Sequence, residues 1–122
     1  MVFVLSFLLL LGGGPVASQR SDTERLEELR RAIEQEIGVP AASEASQCKL
    51  IPFGSKPCGG PWSYLVYSTL KTNESRLKQL VSDFNQLQKK MNEEGKILSD
   101  CAIAQESKAE FADGVCAAKR FD

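Results

Sequence analysis

Two segments of the chain carry apolar residues at helical spacing, and the rest alternates or clusters in ways that suit strands and turns. In the first segment Leu26, Leu29, Ile33 and Ile37 recur at steps of three and four, forming one apolar stripe. Ser21 followed by Glu24 has capping-box spacing, and Asp22 and Glu24 suit the positive end of the helix dipole. Gly38 and Pro40 stop the run, which predicts a helix over 21–37. Its other face carries Arg25, Glu27, Glu28, Arg30, Arg31 and Glu34, read as a solvated surface. The second stripe is Leu77, Leu80, Val81, Phe84, Leu87 and Met91. Thr72 or Asn73 can cap that helix, Glu74 lies in its first turn, Lys89 and Lys90 favour its negative end, and Gly95 suits its C-terminus.

Between the helices, residues 39–47 are small and polar and read as a connector. Cys48-Lys49-Leu50-Ile51-Pro52-Phe53 has strand composition, with Pro52 confining it to a sheet edge or a bulge. Residues 62–68 would form a second strand. Trp62, Tyr64 and Val66 point one way and Leu65 and Tyr67 the other, as in an inner strand covered on both faces. Residues 96–104 read as a third strand, 105–110 as a polar link, Asp113-Gly114 as a turn, and 115–118 as a short last strand. The fold class is therefore α+β: a small antiparallel sheet of three to four strands covered by two amphipathic helices.

The first residues do not fit this pattern. Met1 to Leu11 is apolar except for Ser6, Gly12 to Pro15 follow, and Val16-Ala17-Ser18 offers small residues for a processing peptidase. The apolar run is too short for the roughly twenty residues that cross a bilayer core, which favours an export signal over an anchor. We therefore expect residues 1–18 to be a signal peptide and residues 19–122 a single secreted or periplasmic domain, monomeric, with no stable membrane anchor after cleavage. Four cysteines follow, Cys48, Cys58, Cys101 and Cys116, and an even count in an exported chain reads as two disulfides. Loop-closure entropy gives about 4.4 and 4.0 kcal/mol for Cys48–Cys116 with Cys58–Cys101, against about 2.7 and 3.0 for the sequential pairing. We favour Cys48–Cys116 with Cys58–Cys101 because the first pair ties two short, poorly covered strands together. No Cys-x2-Cys knuckle is present, so neither a metal site nor any other cofactor is expected.

Composition narrows the function. Fifteen basic and sixteen acidic residues are interspersed, leaving a net charge of −1 and no basic patch for nucleic acid or anionic lipid. Histidine is absent, which removes the commonest general base and every Ser-His or Cys-His nucleophile. Ser68, Ser82 and Ser99 thus lack a partner base, and among the carboxylates only Asp83 and Asp100 stand in unusual company. No Cys-x-x-Cys redox pair occurs. Asn73-Glu74-Ser75 matches a glycosylation acceptor. A non-enzymatic binding or envelope-associated module is expected, with a protein partner as the natural ligand class.

The most unusual segment is Gly54-Ser55-Lys56-Pro57-Cys58-Gly59-Gly60-Pro61-Trp62. A proline-stiffened loop held by a disulfide suits insertion into the cleft of a secreted hydrolase, with Lys56 as anchor and Pro57, Gly59, Gly60 and Trp62 around it. The Lys56-Pro57 bond is a poor match to a trypsin-like cleft. The consecutive glycines suit a backbone anion nest. The plainest reading is a tight connection whose glycines take positive φ beside a disulfide.

Gln47-Cys48, Gly54 to Pro61, Tyr64-Leu65-Val66-Tyr67-Ser68, Ser99-Asp100-Cys101 and a final Cys116 together resemble an uncharacterised family of small exported bacterial proteins. The resemblance extends to the helix ending in Glu36-Ile37-Gly38 and implies export and this fold, but no activity. Members often carry two further cysteines; the matching regions here, around Ala41-Ala42 and Phe111-Ala112, have none. If those two cysteines pair, their joint absence removes one bridge and leaves two.

Overall fold

A computed structural model describes residues 21–95, 101–104 and 107–120. The expected signal peptide and residues 96–100 lie outside them. Helix α1, Asp22–Ile37, starts where the Ser21 hydroxyl accepts the Glu24 N–H at 3.2 Å. It ends at Gly38, whose φ of 53° suits glycine and whose N–H reaches the Glu34 carbonyl at 2.8 Å. A short 3-10 turn, Ala45–Gln47, then leads into β1, Cys48–Phe53, and the chain returns in β2, Ser63–Ser68. Helix α2, Glu74–Gly95, is capped by Asn73, which accepts the Arg76 N–H at 3.1 Å. Strands β3, Ser107–Ala112, and β4, Val115–Arg120, complete the chain.

The apolar stripes of both helices pack on the β1–β2 hairpin. Ile33, Phe53, Tyr67, Leu77, Val81 and Phe84 form the buried cluster, joined at its margin by Leu26, Leu29, Ile37, Ile51, Leu65 and Leu80. Phe53 and Phe84 stack with centroids 4.4 Å apart. Arg30, expected on a solvated face, is instead half-buried, its guanidinium 5.4 Å from the Phe84 centroid and 5.7 Å from that of Phe53. The planar cation covers the rim of the stack where a smaller polar group would leave it open to water. Lys90 lies more than a turn before the end of α2, where it pairs with Asp22 of α1 at 3.3 Å rather than with the terminal carbonyls.

The α+β class and two helices agree with the sequence; the single three- to four-stranded sheet does not. The strands form two separate antiparallel pairs, β1 with β2 and β3 with β4. One cause is the connector after α1. Its Pro40 carbonyl accepts the Cys116 N–H at 2.9 Å, and its Ala42 N–H reaches Gly114 O at 2.9 Å, so it occupies the outer edge of β4 at its start. Ala41 makes an isolated antiparallel bridge to Val115 there. β2 is accordingly not an inner strand among the described residues, where its only ladder partner is β1.

Of the strand expected over 96–104, residues 96–100 lie outside the described residues. Residues 101–104 have no regular structure, while β3 begins within the segment read as a polar link. Its Ser107, Ala109 and Phe111 are half-buried and its Lys108, Glu110 and Ala112 exposed, a period-two pattern built from small and charged residues. Asp113 and Gly114, at φ 53° and 76°, close the β3–β4 hairpin as a two-residue turn, as their sequence suggests.

Candidate functional site

Two places on this scaffold combine unusual residues with accessible space: the 54–62 loop and an apolar groove beneath the end of α1. The loop leaves β1 at Gly54, where φ is 88° and a Cβ would lie 2.8 Å from Trp62 Cδ1. Only glycine fits against the indole there. Amides of α2 hold the base of the loop. The Asn85 side chain accepts the Gly54 N–H at 2.8 Å, Gln88 accepts the Ser55 N–H at 2.6 Å, and Asn92 donates to the Ser55 carbonyl at 2.8 Å. The Trp62 N–H to Phe53 O bond, at 3.0 Å, closes the base. Farther out the loop bonds to itself, Lys56 N–H to Gly60 O and Gly59 N–H to Lys56 O, both at 2.9 Å. Gly59 and Gly60 adopt positive φ of 95° and 79°.

Lys56 does not protrude as a protease anchor would. It is 8% exposed, its ammonium donating to the Ala102 carbonyl and lying 4.9 Å from the centre of the Trp62 ring. Burial of a lysine requires such compensation, because an unpaired ammonium away from water is costly. Cys58, Gly59, Gly60 and Trp62 are exposed and Pro57 is half-buried, so the loop offers a short tip and an indole. The tip is tied to residue 101 by the Cys58–Cys101 disulfide, and the second disulfide joins Cys48 of β1 to Cys116 of β4.

The groove is larger, about 440 Å³, and is lined by Ile33, Ile37, Pro40, Leu65, Val66 and Ala118 together with Gly38, Tyr64 and Glu34. It exists because α1 stops at Gly38 and the connector swings away to bridge β4, leaving the last turn of the helix facing β2 and β4. Val39, 73% exposed, stands beside it in the chain. Among the described residues Glu34 is its one charged lining residue.

The remaining polar constellation is a Tyr67–Glu74–Lys49 cluster. The Tyr67 hydroxyl donates to Glu74 Oε2 at 2.8 Å, and Lys49 Nζ reaches the same oxygen at 3.5 Å. Burial, then the adjoining carboxylate, pushes the Tyr67 phenol up to about 12, so it stays protonated. Its hydrogen bond and the neighbouring lysine hold Glu74 below the usual carboxylate range. A phenol locked in its neutral form suits a structural tie between β2 and α2, not a base. Ser68 is fully buried and accepts the Leu70 N–H, and Asp83 accepts from Gln79. Asp100 and Ser99 lie outside the described residues. Among the described residues no cluster of three or more metal-ligating side chains is assembled.

The sequence reading missed the loop-holding amides Asn85, Gln88 and Asn92. Their spacing of three and four along α2 is the signal that marks a second, polar stripe beside the apolar one. The groove was missed as well, because it depends on where the connector goes after Gly38. No protein family, curated protein or solved structure is significantly similar to this chain.

Proposed function

We propose that this chain is an exported, non-catalytic binding module, and that the groove under the end of α1 receives apolar side chains of a partner protein flanked by a basic residue. The observation that carries the reading is an apolar groove of about 440 Å³ left open by the fold, with a carboxylate at Glu34 as its charged lining group. Its size falls within the roughly 300–1,000 Å³ typical of ligand sites. Glu34 favours a cation over an anion at the same position. Two disulfides in a domain this small fit an oxidising compartment.

The test uses fluorescence anisotropy with two labelled peptides sharing a Leu/Ile core, one flanked by lysines and one by glutamates. The lysine-flanked peptide should bind saturably and roughly tenfold more tightly, a difference of about 1.4 kcal/mol. Ala118→Trp fills the groove from an exposed position and should abolish binding. Glu34→Gln should erase the preference between the peptides. Absence of saturable binding, or binding unaffected by Ala118→Trp, refutes the groove as the site. N-terminal sequencing of the protein recovered from its native cell, with cleavage expected near Ser18, tests export separately.

A further inference from the structure

We infer that the Cys58–Cys101 disulfide is a site of thiol–disulfide exchange, which opens in the presence of a small thiol while Cys48–Cys116 stays closed and the fold persists. The two bridges sit in opposite surroundings. Cys116 is 3% exposed, lies within β4, and donates its N–H to the Pro40 carbonyl. Its partner Cys48 is half-buried in β1. Cys58 and Cys101 are both exposed, and both line a cavity of about 240 Å³ together with Lys56, Gly59, Gly60, Pro61 and Ile103. Exchange requires a thiolate to approach a sulfur in line with the S–S bond, so access decides which bridge reacts. A cavity of that size admits a cysteine-sized thiol beside one bridge, while strand pairing closes off the other.

Lys56 assists the reaction. It lines the same cavity, with its ammonium on the carbonyl of Ala102, the residue after Cys101, and a cation nearby stabilises a departing thiolate. The small thiolate attacks one sulfur of the bridge, forming a mixed disulfide there. The Sγ–Sγ bond breaks, and the other sulfur leaves as a thiolate that takes a proton from water. A second small thiol then attacks the mixed disulfide and releases the oxidised small disulfide. Two thiols are oxidised, two protein sulfurs are reduced, and two electrons pass to the protein.

Reduction uncouples residues 101–104 from the loop tip but leaves the base of the loop in place. The bonds from Asn85, Gln88 and Asn92, and from Trp62 to Phe53, do not pass through either sulfur. The consequence is local: Lys56 loses the position of its Ala102 acceptor, and with it the geometry over Trp62.

The experiment titrates the full oxidised protein with reduced glutathione, quenches with an alkylating reagent, and maps the labelled cysteines by mass spectrometry. Cys58 and Cys101 should be labelled at thiol concentrations roughly tenfold below those needed for Cys48 and Cys116. A glutathione adduct should accumulate on this bridge and not on Cys48 or Cys116, with helical circular dichroism retained and the emission of Trp62, the one tryptophan in the chain, shifted to the red. Simultaneous labelling of all four cysteines, or earlier labelling of Cys48 and Cys116, overturns the proposal. Loss of helical signal in the Cys58→Ser/Cys101→Ser double variant does so too, since that bridge would then be structural. Lys56→Met should slow exchange several-fold and Lys56→Arg should restore it; equal rates in all three proteins overturn the role of Lys56 in the exchange.

Discussion

The two halves of the molecule are held together by different physics. The helices and the β1–β2 hairpin enclose a cluster of buried hydrophobic side chains, including the stacked Phe53 and Phe84. The β3–β4 hairpin, whose one buried residue among those described is Cys116, lies against β1 and β2 and is tied to the rest by a disulfide and the backbone bonds of residues 40–42. The first half is stabilised by removing apolar area from water, the second by limiting how far its chain can wander when unfolded. A hairpin of small and charged residues such as Ala109, Ala117, Ala118, Lys108 and Glu110 has little apolar area to bury, so a covalent tie replaces it.

This contrast can be broken from either side. The largest effect is expected from Phe84→Ala, which empties the centre of the apolar half and should cost about 3–5 kcal/mol in denaturant unfolding. Replacing Cys48 and Cys116 together by alanine should cost about 2–5 kcal/mol. Here hydrogen exchange is the sharper measurement: protection should fall first across β3 and β4, while Leu77, Val81 and Phe84 keep theirs. Uniform loss would mean that the hairpin is no separate unit.

Gly54→Ala forces a Cβ against the indole at a positive φ and should cost roughly 1–3 kcal/mol, with a changed Trp62 emission. Tyr67→Phe removes the bond to Glu74 and should cost about 1 kcal/mol at neutral pH. The pair also fixes the pH response. The Tyr67 phenol is raised from 10.0 to about 12 in the folded state, so its contribution is complete below pH 10 and is lost between 10 and 12 as the unfolded phenol ionises first. Glu74 is lowered, so its contribution is present above its unfolded value and disappears as pH falls through the folded one. Unfolding followed across pH in the wild type and in Tyr67→Phe should show both limbs flattened in the variant.

What the sequence disclosed follows from the range over which each signal acts. Helix periodicity, the Ser21 and Asn73 caps, and the Asp113-Gly114 turn are set by residues within one or two turns of each other, and all three sit where their neighbours dictate. Strand β3 was hidden because Ser, Lys, Ala and Glu alternate without a strong apolar face. The division into two sheets was hidden because it depends on Pro40 and Ala42 meeting Gly114 and Cys116, more than seventy residues later in the chain. Lys56 is the sharpest case. Lysine is nearly always solvated, and its burial rests on a carbonyl at Ala102 and on the placement of Trp62.

The long span between Cys48 and Cys116 has a consequence for how the molecule is made. A chain delivered amino-terminus first into an oxidising space presents Cys48 and Cys58 before Cys101 or Cys116 exists there, and short loops close fastest. With that order of delivery the earliest bridge to form would be a wrong one, and maturation would wait on its rearrangement. Yield in the cell should track disulfide isomerase more closely than oxidant.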